Sequence, residues 1–210
     1  MSAASGLDRL LAVASPALCG AQARVEEPDA LTEIRTRRNG FIAFFGALQV
    51  FPADASTAGA VPGAAAVAGT LRAAFGALAD GHHVFGQDLF GTLLTWHPEH
   101  LVCSYDPETG EHERLADTID GWASAVLAEP EELVGSAFAF DWQERHGALR
   151  AAERLVPLLP FVLGGEYDDA NLEPRDTLVA LRERGALARV VAALPEGAEI
   201  EWPLPGTREG

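Results

Sequence analysis

The chain has 210 residues, 48% of them hydrophobic and 22% charged, values that suit one globular domain and exclude a wholly disordered chain. Its 31 acids against 15 bases leave a net charge of −16, which sets it against nucleic acid and anionic membrane surfaces, since both select a basic footprint. The longest apolar runs, of about a dozen residues, fall short of the roughly 20 that cross a bilayer.

The N-terminal stretch carries Asp8 and Arg9 and does not read as a signal peptide, so a cytoplasmic setting is expected. All 15 bases are arginine, which fits the coding bias of a GC-rich genome. The charge is uneven. Residues 1–38 balance, whereas residues 99–132 carry ten acids against Arg114 alone. Such a run solvates a surface, and it also fits a basic protein partner, which an acidic face steers in. Cys19 and Cys103 are the only cysteines. Two isolated cysteines make neither a disulfide framework nor a zinc motif, and both are expected reduced.

In chain order, residues 7–14 form a short helix with leucines on one side, stopped by Pro16. A second helix starts near Asp29 as N-cap and runs through LTEIRTRR to Asn39-Gly40. FIAFFGALQVF is apolar nearly all round, and its length and alanines favour a buried helix over a strand. Residues 1–51 are thus expected as an N-terminal helical segment packed on the main domain. Residues 52–70 are nearly all Ala, Gly, Pro, Ser and Thr and read as a mobile linker. Residues 71–210 make the main domain, opening with the helix LRAAFGALAD, ended by Gly81.

HHVFGQD, TLLTWH, LVCSYD and HERLA then alternate with separators rich in Asp, Pro and Gly. Short β-type segments joined by such turns make an antiparallel meander. A helix follows over residues 118–128, capped by Asp117 or Thr118, with Trp122 and Val126 sharing a face. Residues 130–145 are predicted as one helix with Trp142 inward. The prolines of LVPLLPFVLGG confine it to an edge or irregular extended segment. Residues 177–194 are an amphipathic helix with a stripe of Leu178, Leu181, Leu187 and Val191, and AEIEWPL closes the chain as a short strand. The expected fold is α+β, an antiparallel sheet of about four to six strands with helices packed on it.

Sequence signatures of chemistry are sparse. A nucleophile elbow, a Walker A loop, a GxGxxG fingerprint and a His-Glu-x-x-His pair are all absent. His82 and His83 are adjacent and point to opposite faces of a strand. His97 and His100 flank a turn with no third ligand indicated, so neither a metal nor a cofactor is expected. Glu166 and Asp168, beside a histidine such as His82 or His146, would be the carboxylates of a hydrolase. Asp88 lies between Phe85 and Phe90, where it can cap a turn.

VFGQDLFGTLLTW, SYDPETGE and IDGWASAVLAEPEELVG, through Phe85, Asp88, Phe90, Gly91, Asp106, Gly110 and Trp122, resemble the SMI1/KNR4-type proteins of the SUKH superfamily. RLVPLLPFVLGGEYDDANLEP resembles the extended ends of actinobacterial members, so the resemblance covers roughly residues 82–203. It implies a binding scaffold, similar to immunity proteins that neutralise toxins, often nucleases, by covering the catalytic face. The contact is expected on the acidic stretch, at Glu108, Glu111, Glu113, Asp117 and Asp120. The alternatives are a regulatory or scaffold protein of the same fold and the hydrolase. Oligomeric state is left open.

Overall fold

The computed structural model describes residues 4–20, 27–54, 61–195 and 197–202. Six strands form one antiparallel meander in chain order: β1 (Phe41–Ala43), β2 (Leu48–Val50), β3 (His83–Gln87), β4 (Leu93–His97), β5 (Leu101–Tyr105) and β6 (His112–Ala116). Among the described residues there are also seven α-helices and a two-stranded ladder, so the fold is α+β, as expected.

The four predicted meander strands are present, and their turns use the predicted chemistry. Asp88 Oδ1 accepts from the backbone N–H of Phe90 and Thr92 at 2.9 and 2.8 Å. Asp106 Oδ1 accepts from Glu108 N at 2.7 Å. The register pairs Leu93 with Tyr105 and Tyr105 with His112.

Both faces of the sheet are covered. α1 (Gly6–Val13), α2 (Asp29–Arg37), α4 (Ile119–Ala128) and α6 (Ser136–His146) share a core with Phe85, Leu94 and Val102. α3 (Ala64–Phe75) and α7 (Thr177–Ala193) share another with Val84, Leu93 and Tyr105. Adjacent residues such as Val84 and Phe85 therefore enter opposite cores, as the two-residue period of a strand requires. Trp122 is the largest fully buried side chain and meets Phe85 edge-to-face at 5.1 Å.

Helix ends follow capping rules. Ser5 and Asp8 close a capping box on α1. Thr118 accepts from Gly121 N at 3.0 Å and starts α4. Asp176 Oδ1 accepts from Leu178 N and Val179 N at the head of α7. On α7, Leu181 and Leu187 are buried, whereas Leu178 and Val191 are only partly so. β7 (Glu153–Pro157) and β8 (Leu172–Asp176) make the separate ladder, and two strands with no further strand partner among the described residues accommodate Pro157 and Pro174.

Several expectations are corrected. FIAFFGALQVF is the hairpin β1–β2, not a helix. It is apolar on both sides because the sheet is buried on both faces, which erases the alternation that signals a strand. Its strands join the main sheet, so residues 1–51 are neither wholly helical nor a separate segment. Of the linker, residues 55–60 lie outside the described residues, but Val61 is buried and α3 begins at Ala64, with Val67 and Leu71 in the core. Alanine, which made the stretch look simple, is the best helix former. α3 stops at Phe75, with Gly76 rather than Gly81 as its C-cap. Asp29 is the first helical residue of α2 and Pro28 its N-cap. Residues 130–145 split into α5 (Pro130–Val134) and α6 at Gly135, whose φ of +73° suits a glycine. The described part of the C-terminal segment, residues 197–202, is not a strand.

Candidate functional site

The predicted docking acids are not all available to a partner. β6 is the outer strand of the sheet, paired only with β5 among the described residues. Glu111 precedes it and Glu113 lies on it, and both are exposed. Asp117 is exposed and pairs with Arg114. Asp120 is exposed too, but its Oδ1 accepts from Leu7 N at 2.9 Å and ties α1 to α4. That backbone hydrogen bond holds its carboxyl below the usual range. Glu108 is corrected outright. It is 2% exposed, so a partner cannot reach it. Its Oε2 accepts from Val162 N at 2.9 Å and anchors the loop between β7 and β8. Burial pushes its pKa up.

Glu108 belongs to a buried charge cluster with Asp88, Arg154 and Arg184. Burial raises the Asp88 pKa from 3.8 to about 6 and lowers that of Arg154 from 12.5 to about 10. Arg184 Nη1 donates to Phe90 O at 2.8 Å. Gly91 has φ of +77°, which favours glycine, and a Cβ there would lie 2.4 Å from Arg184 Nη2. Glu108 Oε1, Arg184 Nε and two nitrogens of Arg154 are buried without a hydrogen-bond partner. None of the four residues forms an ion pair among the described residues. The cluster joins the β3–β4 turn, the β5–β6 turn, β7 and α7. The two arginines were not singled out from sequence. A usable signal existed, since Arg184 sits between Leu181 and Leu187 on the buried stripe of α7.

A second gathering was also hidden. His82 precedes β3, His97 ends β4, His100 lies in the β4–β5 turn and His112 begins β6, and the four lie ring against ring. Centroids are 4.9 Å apart for His82–His97 and His82–His112, 4.6 Å for His97–His100 and 4.5 Å for His100–His112. His82 Nδ1 meets Thr95 Oγ1 at 3.0 Å. Burial, then the charges of His112, His97, His100 and His83, lowers the His82 pKa from 6.5 to about 4. His97 Nδ1 accepts backbone N–H groups of Glu99 and His100 at 3.1 and 3.3 Å. Among the described residues no three His, Cys, Asp or Glu side chains are arranged to hold a metal ion. His97 and His100 do meet, but by ring stacking. Finding the cluster required the β5–β6 register, which brings His112 alongside Tyr105.

The hydrolase carboxylates are placed elsewhere. Glu166 and Asp168 are exposed, and Asp168 Oδ1 accepts from Asn171 N at 2.9 Å. His146 pairs at 2.9 Å with Asp169, which also holds Arg145. A cleft of about 190 Å³ lies between α2 and α3, floored by Ala64, Ala65 and Ala68, with Arg35 paired to Glu27 at 2.6 Å. It is below the roughly 300 Å³ of common ligand pockets. No disulfide joins Cys19 to Cys103. No helix of the described residues is long and apolar enough to cross a membrane.

No family model matches the chain, and no curated relative matches it. The crystal structure of Atu4351 from Agrobacterium tumefaciens aligns over 76% of this chain and 75% of that one, with a TM-score of 0.54 and 16% identity. At that identity the likeness is one of fold.

Proposed function

We propose that this chain is a protein-binding module of the immunity type, which neutralises a cationic toxin, such as a nuclease, by covering it with acidic surface. One observation carries the reading. Glu113 on the outer strand of the sheet and Glu111 just before it are both exposed, in a stretch with a single arginine. Asp117, paired with Arg114, and Glu132 are also exposed, before and after α4 in the chain. An acidic face of this kind speeds association with a basic partner and makes it salt-dependent. Among the described residues no second strand pairs with the outer edge of β6, which leaves backbone groups beside the charge. The resemblance to SMI1/KNR4-type proteins supports the same reading.

The test is capture of partners from native cells at low and high salt, then reconstitution of the captured protein. It is titrated with the wild-type chain and with a Glu111→Lys, Glu113→Lys, Asp117→Lys triple variant. A basic partner bound about tenfold more weakly by the variant, with a shallower salt dependence, is the expected result. A partner whose binding ignores both the substitutions and the salt refutes the acidic edge.

A further inference from the structure

At the tip of the β1–β2 hairpin, Phe44, Phe45 and Gly46 take φ of 52°, 57° and 90° in succession. The left-handed region is unfavourable for any residue with a Cβ, and more so for a bulky one, so hairpins usually place Asn or Gly there. Phe44 is repaid by packing against the core. Phe45 is not, since it is 64% exposed. A strained backbone carrying an exposed aromatic serves something other than the fold.

The tip is held in place from α6. Gln143 Nε2 donates to Phe45 O at 2.7 Å and to Ala139 O at 2.9 Å, while its Oε1 accepts from Leu149 N at 3.1 Å. This brings Phe45 against Phe140, itself 44% exposed, with ring centroids 5.0 Å apart and planes at 61°. Glu144 completes an open groove of about 320 Å³ with Phe45, Phe140 and Gln143. Its carboxylate is exposed, and no ion pair engages it among the described residues.

Two angled aromatic rings with a carboxylate at the rim suit a planar cation. A guanidinium stacks on ring faces and pairs with a carboxylate through its fork of N–H donors, which a lysine ammonium does less well. We propose that Phe45, Phe140 and Glu144 form a preformed clamp for an arginine side chain of the partner. This rests on the reading of the chain as a binder of a cationic protein. A second copy is a poor occupant, since each chain carries −16 and Asp141 adds exposed charge beside the groove.

The experiment needs no toxin. The peptide acetyl-Gly-Arg-Gly-Arg-Gly-amide, with its lysine and citrulline counterparts, is titrated while aromatic NMR signals of the full chain are followed. The arginine peptide is expected to shift the Phe45 and Phe140 rings saturably, the lysine peptide several-fold more weakly, and the citrulline peptide not at all. Phe45→Asn, which suits the left-handed backbone and keeps the Gln143 bond to the carbonyl, abolishes the shifts while the melting temperature holds or rises. Glu144→Gln weakens binding about threefold, whereas the β6 triple variant leaves these shifts in place. Shifts that persist in Phe45→Asn, or that move to the His112 ring between Glu111 and Glu113, overturn the clamp. A captured partner that binds Phe45→Asn at full affinity but loses the triple variant also overturns the clamp, and leaves the acidic edge standing.

Discussion

Replacing His82 with glutamine is expected to remove a pH dependence that the histidine cluster builds into folding. Glutamine is neutral and can keep a hydrogen bond to Thr95 Oγ1, which His82 Nδ1 contacts at 3.0 Å. In the folded chain the His82 pKa is lowered from 6.5 to about 4 by burial and by its histidine neighbours. A group with a depressed folded pKa binds protons more readily when unfolded. Its contribution is therefore complete above 6.5 and lost as pH falls toward 4. At about 1.4 kcal/mol per pH unit, a fall of this size corresponds to about 3 kcal/mol. Solvent reaches His97 and His112 on the open side of the cluster, which trims the expected loss to about 2 kcal/mol. Asp88 acts with the opposite sign. Its pKa is raised from 3.8 to about 6, so its contribution is present below 3.8 and lost as pH rises through 6. Asp88 is present in both proteins and cancels from their difference. The assay is urea unfolding followed by fluorescence of the four tryptophans, for wild type and His82→Gln, at intervals between about pH 7.5 and about 4.5. Relative to wild type, the variant should gain about 2 kcal/mol across that range. A difference that stays constant across it would show the histidines to be hydrated, and the reasoning would fall.

Two core substitutions test the layers on either side of the sheet. Trp122→Ala empties the largest fully buried site, beside Phe85, and should cost about 3–5 kcal/mol in urea unfolding; a loss below about 1 kcal/mol would contradict its place in the core. Gly185→Ala sets two effects against each other. Alanine favours α7 by about 1 kcal/mol, but its Cβ would lie 2.7 Å from Ala74 Cβ and 2.8 Å from the Phe75 ring. Overpacking of this kind costs about 1–3 kcal/mol, so a net lowering of the melting temperature is expected, and an unchanged or raised one would show that α3 and α7 do not approach so closely.

Local chemistry in the sequence determined the meander and its helical flanks. Asp88 and Asp106 fold back on their own turns, Thr118 caps α4, and Trp122 lies four residues from Val126. Each of these is a short-range interaction, so residue identity and spacing are enough to reveal it. The β1–β2 hairpin was not legible, because burial on both faces removes the alternation a strand normally shows. The first half of α3, residues 64–70, was hidden for a different reason, since an alanine-rich run flanked by Gly and Pro has no polar face to mark its period.

The sites depended almost wholly on tertiary structure. Glu108 and Glu111 are three residues apart and look alike in sequence, yet one is buried under the β7–β8 loop and the other is exposed. The four histidines span residues 82 to 112 and meet only because the β3–β4, β4–β5 and β5–β6 registers align them. Phe45 and Phe140 are 95 positions apart, and only the packing of the hairpin tip on α6 turns them into a pair. Burial, proximity and ring geometry are sums over long-range neighbours, and those neighbours exist only once the chain has closed on itself.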